Sequence, residues 1–204
     1  MSVKVIFATG NEGKLNEIRD ILSDADIDMM SSKQAGLSTD VEENGTTFAE
    51  NAMIKARAAA KNADCMVLAD DSGLEVDYLN KEPGIYSSRY MGKDTTYHEK
   101  NMNLIGRLND AGKMDPSERS ARFVCAISAV FPDGTHAVVR ETMEGYIGFK
   151  EEGENGFGFD PIFIMPKFGV SNSMIPSETK HAESHRGKAL RKMREELVKR
   201  GYLQ

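Results

Sequence analysis

The chain has little of what secretion or membrane insertion requires. It holds only two cysteines, Cys65 and Cys125. Both lie in apolar, strand-like runs, so we expect free thiols in a reducing compartment and not a disulfide framework. No apolar run approaches the length of a membrane span, and the N-terminus lacks the layout of a signal peptide. We therefore expect a cytoplasmic protein with no membrane partner.

An excess of positive charge is also missing. Lysine and arginine number 26 against 32 aspartates and glutamates, which gives a formal net charge of -6. This balance is the reverse of that of a general nucleic-acid binder, so we expect no nucleic-acid partner and attach more weight to local basic groups. The 204 residues suffice for a substantial core, and we expect a single domain over residues 1–204.

The order of the predicted elements is that of an α/β protein. Predicted strands cover residues 3–8, 65–69, 120–131 and 162–164, with a return strand that begins at residue 137. Predicted helices cover residues 14–22, 97–108 and 187–200, and one more begins at a capping-box pattern at residues 47–50. The early strand–helix alternation and the later hairpin predict a mixed sheet.

The first strand-to-helix turn has the features of a phosphate-binding loop. The apolar run stops at Thr9, Gly10 and Asn11, and Lys14 begins the helical pattern. Backbone N–H groups, a helix N-terminus and an ammonium group therefore share a small volume. It is not a Walker A loop, because Leu15 stands where a magnesium-binding Ser or Thr would follow the lysine. An ordinary turn explains the same residues equally well.

Carboxylates are available for a metal ion elsewhere in the chain. Asp70 and Asp71 follow a predicted buried strand, at the kind of position where ligands gather in α/β sheets. Adjacent carboxylates repel each other, and Mg²⁺ relieves that repulsion when it takes one or two of them together with substrate phosphates. The alternative is that both aspartates cap the next turn. Glu42 and Glu43 lie in a polar loop before the second helix.

A glycine-rich aromatic loop occupies residues 156–160. Glycine lets a backbone approach a ligand closely, and an aromatic ring can stack on a planar base. Asp160 can accept hydrogen bonds from the N–H groups of a base. The alternative is a loop whose rings fill the core, and we expect that role for one of Phe157 and Phe159.

Several basic residues lie near these segments. Lys55 shares one face of the second helix with Asn51, four residues before it. Lys180, His185 and Arg186 precede the last predicted helix, where positive charge opposes the helix macrodipole and so indicates an anion or a polar ligand. Fully solvated basic segments are the alternative for all of them.

The order of the motifs along the chain resembles that of the inosine/xanthosine triphosphate pyrophosphatase family. The motifs are Thr9-Gly10-Asn11-x-x-Lys14, Thr47-Phe48-x-Glu50-Asn51-Ala52-x-x-Lys55-Ala56, Ala69-Asp70-Asp71-Ser72-Gly73-Leu74, Pro83-Gly84-Ile85-Tyr86-Ser87-x-Arg89-Tyr90, Gly156-Phe157-Gly158-Phe159-Asp160-Pro161 and Ser184-His185-Arg186-Gly187-Lys188-Ala189. They extend over nearly the whole chain, and their combination is highly specific.

The resemblance implies a fold, a reaction and partners. The fold is an elongated α/β structure with a mixed central sheet flanked by helices and two lobes with a cleft between them. The reaction is Mg²⁺-dependent hydrolysis of non-standard purine nucleoside triphosphates (ITP, dITP and XTP) to the monophosphate and pyrophosphate. The partners are the nucleotide substrate and a second copy of the chain in a homodimer.

The resemblance also implies a role for each matching residue. Glu42 and Asp71 hold the metal, and Asp71 is the proton acceptor. Triphosphate binding is implied for Thr9, Gly10, Asn11, Glu12, Gly13, Lys14 and Lys55. Nucleotide contacts are implied for Ser72, Phe157, Gly158, Phe159, Asp160, Lys180, His185 and Arg186. The chain departs from the family at Phe159, where Tyr is commoner, at Glu183, and in the segment 173–178.

Two other functions fit part of the pattern. A nucleotide sensor that does not hydrolyse its ligand would keep the lysines and the aromatic loop, but it would not need Glu42, Asp70 and Asp71 together. A pyrophosphatase for pyrimidine or other modified nucleotides would share the phosphate-binding residues. The loop at residues 156–160 and the run at residues 184–186 favour a purine over that alternative.

Overall fold

The computed structural model describes residues 2–9, 11–23, 25–38 and 41–203. The strands are β1 (Val3–Phe7), β2 (Ile27–Ser31), β3 (Met66–Val76), β4 (Ser120–Val130), β5 (His136–Ile147), β6 (Phe163–Met165) and β7 (Val170–Ser171). The helices are α1 (Glu12–Ile21), α2 (Phe48–Ala60), α3 (Tyr97–Asp110), α4 (Ser177–Glu183) and α5 (His185–Lys199). Within these ranges, no helix combines the length and the apolar character that a membrane crossing needs.

The strands form one mixed sheet in the order β2-β1-β3-β4-β5-β6-β7. β1 is parallel to β2 and to β3, with Val5 opposite Met29 and Met66. These parallel neighbours are connected through α1 and α2, as parallel strands require a crossover. β6 is antiparallel to β5 and to β7. The predicted α/β class with a mixed sheet is confirmed.

The chain divides into two compact units. The first unit comprises Met1–Asp71, Cys125–Glu141 and His185–Gln204, and the second comprises Ser72–Val124 and Thr142–Ser184. Each unit has buried apolar clusters of its own. A single domain over residues 1–204 and a cleft between two lobes stay predictions.

The core of the first unit lies on both faces of its strands. Leu15 and Ile18 of α1 pack with Leu190 of α5 in one cluster. Ala56 and Ala59 of α2 belong to a second cluster that includes residues of β1 and β3. Alanines have no side chain beyond Cβ, so α2 can approach the sheet closely. The predicted capping box at the start of α2 is present.

The core of the second unit centres on α3 and aromatic residues. Leu104 and Leu108 are fully buried. Phe123 and Phe163 form a tilted aromatic pair with ring centroids 4.5 Å apart. Arg119 is also fully buried, and its guanidinium donates to the carbonyl oxygens of residues 147 and 148 at 2.7 and 2.8 Å. These bonds satisfy a buried charge that would otherwise be costly.

Three features of the fold differ from the sequence-based expectation. β3 continues to Val76, so Asp70 and Asp71 lie inside a strand and do not follow it. β2, β7 and α4 were not predicted, because short or polar segments give weak periodicity. α5 begins at His185 and not near residue 187. In β3, pairing with the neighbouring strands of the sheet overrides the low strand propensity of the segment Asp70-Asp71-Ser72-Gly73.

A substitution at Gly73 tests the packing beside β3. A Cβ there would overlap Ser87 Oγ and the carbonyl oxygen of Gly84. That hydroxyl is fixed, since it accepts from Leu74 N at 2.9 Å and donates to Gly84 O at 2.7 Å. We expect Gly73→Ala to lower the free energy of unfolding by about 1–3 kcal/mol in urea denaturation. Gly106→Ala is the control, since its Cβ would meet nothing within 4 Å. Unchanged stability in Gly73→Ala would contradict the packing.

Candidate functional site

The turn between β1 and α1 presents a capped helix N-terminus. Asn11 is the N-cap residue, and its Oδ1 accepts from Lys14 N at 3.1 Å. Asn11 N in turn donates to Thr9 Oγ1 at 3.1 Å. Gly13 is exposed in the first turn. Gly10 and the side chain of Glu12, both predicted to bind phosphate, lie outside the part of the chain that the structure describes. Asn11 therefore caps α1, whose first N–H groups begin here, and phosphate binding at this turn stays a prediction.

Asp70 is a buried counter-ion for two basic residues. Lys14 Nζ lies 2.8 Å and Arg186 Nε 3.7 Å from Asp70 Oδ2. Burial by itself would raise the pKa of the Asp70 carboxyl, but the charges of Lys14 and Arg186 outweigh it and hold this pKa well below its ordinary value. Asp70 therefore stays ionised and fixes both cations. Asp70 lies inside β3, so it does not have the position before a turn that the alternative of a turn cap assumed.

Asp71 has a different environment from its neighbour. Asp71 Oδ1 lies 3.2 Å from Lys55 Nζ, and Oδ2 accepts from Asn51 Nδ2 at 3.3 Å. Burial raises the pKa of the Asp71 carboxyl, and the pull of Lys55 does not fully offset this. Burial by itself would lower the pKa of Lys55, but Asp71 and Asp70 outweigh it and raise that pKa. The pKa values of two adjacent carboxyl groups are thus shifted in opposite directions, and such perturbed pKa values are typical of functional sites.

The acidic loop before α2 reaches the same place. Glu43 Oε1 lies 3.1 Å from Lys55 Nζ, whereas Glu42 is exposed. Gly45 N donates to Asn51 Oδ1 at 2.9 Å, which anchors the loop on the helix. The residue pattern placed Glu42 and Glu43 together in one loop, and only the family resemblance selected Glu42 for the metal. Asn51 was treated only as a neighbour of Lys55. The spacing of Asn51 and Lys55 on one helix face was the available signal. We call Lys14, Glu43, Lys55, Asp70 and Asp71 the charge cluster.

The donor set of the charge cluster suits a hard cation that shares its ligands with a substrate. Among the described residues, no group of three or more His, Cys, Asp and Glu side chains could hold a metal ion by itself. Mg²⁺ commonly takes only one or two protein carboxylates and completes its shell with water and substrate phosphates. Asp71, whose charged form is disfavoured by burial, would be stabilised by such an ion.

In the second unit, Asp160 organises the glycine-aromatic loop. Asp160 Oδ1 accepts from Asn172 Nδ2 at 2.6 Å. Its Oδ2 accepts from Lys180 Nζ at 2.6 Å and from Phe157 N at 2.9 Å. A Cβ on Gly156 would overlap Asp160 Oδ2, and φ of Gly156 is +83°, so only glycine fits there. Both oxygens of Asp160 already have protein donors, and Asn172 was not foreseen from the sequence.

The two phenylalanines of this loop are divided as expected between surface and core. Phe159 is 3% exposed and packs edge-on against Tyr97, with ring centroids 5.4 Å apart. Phe157 is 47% exposed, and Lys180 Nζ lies 5.7 Å from its ring centroid. Gly158, with φ of +70°, separates the two rings. The aromatic face that a base can reach is therefore that of Phe157.

The remaining predicted residues lie at the start of α5 and in β3. His185 and Arg186 are the first two residues of α5, and both are buried. Ser184 ends α4 directly before them. Ser72 is half-buried in β3, next to Asp71. Because both side chains are buried, the alternative of a fully solvated basic segment does not apply to them. Arg186 lies near Asp70, and positive charge at the N-terminus of a helix is otherwise unfavourable.

Comparison with known proteins gives these motifs a family context. A model of the Ham1 family matches residues 5–196. A protein of Exiguobacterium sibiricum named dITP/XTP pyrophosphatase is 42% identical over 196 residues, covering 96% of this chain and 98% of the relative. One of the same name from Clostridium perfringens is 40% identical, covering 95% and 97%.

Solved structures agree with the sequence comparison. A HAM1 protein from Coxiella burnetii superposes with a TM-score of 0.87 at 37% identity, covering 97% of this chain and 99% of that one. The Staphylococcus aureus Ham1 protein gives a TM-score of 0.84 at 39% identity, with coverage of 97% and 99%. The resemblance predicted from the motifs is confirmed, and the chain belongs to the Ham1 family.

Proposed function

We propose that this protein hydrolyses ITP, dITP and XTP to the nucleoside monophosphate and pyrophosphate, and so removes them from the nucleotide pool. The observation that carries the proposal is the charge cluster. In it, Lys14 pairs with Asp70 and Lys55 pairs with Asp71, and Lys14 lies in the first turn of α1. The names of the E. sibiricum and C. perfringens relatives support the same reaction.

Phosphate binding falls to the basic side of the cluster. Phosphoryl chemistry depends on positioning and on neutralising charge more than on a covalent nucleophile. Lys14 and Lys55 would neutralise the leaving pyrophosphate, together with the backbone N–H groups of the segment Thr9-Gly10-Asn11. Asp70 fixes the Lys14 ammonium, so the cation is in place before substrate arrives.

Glu42 and Asp71 would hold the metal ion, with Glu43 pairing Lys55 beside them. When bound, Mg²⁺ supplies charge neutralisation at the phosphates and lowers the pKa of a coordinated water. Asp71 would orient the attacking water toward the α-phosphorus and accept its proton. Its raised pKa suits a proton acceptor better than the strongly acidic Asp70 does.

Base selection would depend on donors at the start of α5. His185 and Arg186 can donate to the C6 oxygen of hypoxanthine or xanthine, whereas adenine presents an amino donor at that edge. The exposed ring of Phe157 offers a stacking face, and Ser72, Gly158, Phe159, Asp160 and Lys180 complete the proposed nucleotide contacts. Asp160 would act chiefly by orienting Lys180 and the loop.

The setting of the reaction is also proposed. Two free cysteines, Cys65 and Cys125, support a reducing compartment, and we place the protein in the cytoplasm. The family resemblance supports a homodimer.

The experiment that tests the function measures pyrophosphate release from dITP with Mg²⁺ and with EDTA. We expect release only with the divalent ion. Tight dITP binding without release in either condition would identify a sensor instead. Release from modified pyrimidine nucleotides at higher efficiency than from dITP would identify the other alternative.

Lys14→Met tests the proposed phosphate contact. The substitution removes a cation from the leaving group and also removes the ion pair between Lys14 and Asp70. We expect kcat/KM for dITP to fall by about 10²-fold, as loss of one preorganised charge-stabilising group typically does. Steady-state kinetics measure this, with the exposed Lys33→Met as the control for removal of a surface lysine. Equal efficiencies of Lys14→Met and Lys33→Met would contradict the assignment.

A further inference from the structure

We propose that Asn51 is a positioning residue that locks the carboxylate of Asp71 and the acidic loop into one arrangement; the inference rests on the proposed pyrophosphatase function. Asn51 is completely buried in the first turn of α2. Its Nδ2 donates to Asp71 Oδ2 at 3.3 Å, and its Oδ1 accepts from Gly45 N at 2.9 Å. The amide of Asn51 therefore makes one hydrogen bond as a donor and one as an acceptor, to two different segments of the chain.

The orientation of this amide is determined by its partners. Gly45 N can only donate, so the atom of Asn51 facing it must be the oxygen. The nitrogen then faces Asp71, where only a donor is favourable. The contact with the loop is close, because a Cβ on Gly45 would overlap Asn51 Oδ1. Neither end of the amide can be exchanged without loss of a hydrogen bond.

The contacts close a ring around the site. Asn51 and Lys55 are one helical turn apart, and each donates to a different oxygen of Asp71. Lys55 also forms an ion pair with Glu43. Two residues further along the chain, Gly45 N donates to Asn51 Oδ1, and this bond completes the ring. Two fixed donors prevent the Asp71 carboxylate from rotating, so its unused lone pairs point in fixed directions. The same amide sets where the acidic loop lies relative to Asp71.

Packing alone does not account for an asparagine here. Its buried neighbours on α2 include Ala52 and Ala56, which are small and apolar. Asparagine is a poor helix former, since its side chain competes for backbone hydrogen bonds. A residue whose only task was to fill space would follow the alanine pattern. The two polar contacts are what distinguish position 51.

The test separates the two ends of the amide. Asn51→Asp keeps an acceptor for Gly45 N but replaces the donor to Asp71 with a second negative charge. Asn51→Ala removes both contacts. Gly45→Ala disturbs the loop end from the other side, because its Cβ would overlap Asn51 Oδ1, and thermal unfolding checks that the variant is folded. Ala59→Gly is the matched control, because it weakens α2 at a buried position that belongs to an apolar core cluster.

We expect kcat for dITP to fall about 10–100-fold in Asn51→Ala and Asn51→Asp, the range typical of residues that orient a site's own ligands, with KM changed less than about threefold. Gly45→Ala should also lower kcat. The double variant Gly45→Ala/Asn51→Ala should be no worse than Asn51→Ala, since both remove one shared contact. Ala59→Gly should lower the thermal unfolding midpoint and leave kcat unchanged.

Other results would overturn the inference. Wild-type kcat in both Asn51 variants, additive losses in the double variant, or an equal kcat loss in Ala59→Gly would each assign Asn51 to packing only. A wild-type chain that releases no pyrophosphate from dITP would overturn the proposed function itself. That outcome is read before any variant is made, so the two failures are distinguishable.

Discussion

Replacing Asp71 by asparagine is expected to lower kcat for dITP hydrolysis by about 10³-fold while the fold survives. Positioned proton transfer contributes about 10²–10⁴-fold in enzymes, and an amide can neither accept the proton nor bind a cation as a carboxylate does. Stability should fall by about 1–3 kcal/mol, because the amide offers one acceptor oxygen where Asn51 and Lys55 now donate to two carboxylate oxygens. Activity is measured as pyrophosphate release at saturating dITP and Mg²⁺, and stability by thermal unfolding.

The matched control for this prediction is Asp133→Asn. Asp133 lies exposed in the turn between β4 and β5 and bonds only locally, to Thr135, among the contacts described. It undergoes the same chemical change far along the chain from the charge cluster. Full Mg²⁺-dependent activity in Asp71→Asn would rule out Asp71 as the proton acceptor.

The second large effect is discrimination between bases. We expect kcat/KM for dITP to exceed that for dATP by on the order of 10⁴-fold, since a site built to hydrogen-bond one group leaves its donors unpaired with the wrong substrate. His185 and Arg186 are buried, so donors facing an amino group could not turn to water instead. XTP should be used as efficiently as ITP within about tenfold, because both present the same C6 carbonyl.

GTP extends the same comparison. Guanine shares the C6 oxygen but adds a 2-amino group, so it tests whether a second feature of the base is read. We expect GTP also to be a poor substrate.

Competitive steady-state assays with dITP and dATP together give the ratio of their kcat/KM values directly. Comparable efficiencies for dATP and dITP would refute the donor argument and leave phosphate binding as the only source of affinity.

Local sequence patterns predicted the parts of the fold that local physics determines. The capping box at Thr47 and Glu50 fixed the start of α2 within a residue. The apolar run at residues 3–8 matched β1, since a fully buried strand needs no polar alternation. The burial of one phenylalanine in the glycine-aromatic loop was also expected, and the structure identifies it as Phe159.

Contacts between distant segments could not be predicted from those patterns. Asp70 and Asp71 are adjacent in sequence, but alternate residues of a strand face opposite ways, and their pKa values move in opposite directions. Nothing local indicates that Lys14 meets Asp70, or that Glu43 and not Glu42 meets Lys55. The loop that carries these glutamates is positioned by Asn51, a contact that only the folded chain creates.

The most direct test of the account follows the oxygen of water. Hydrolysis of dITP in H₂¹⁸O, with the products analysed by mass spectrometry, shows which phosphorus is attacked. Attack on the α-phosphorus predicts one ¹⁸O atom in dIMP and unlabelled pyrophosphate. Label in pyrophosphate, or formation of dIDP and orthophosphate, would contradict the proposed chemistry of Asp71 and the charge cluster.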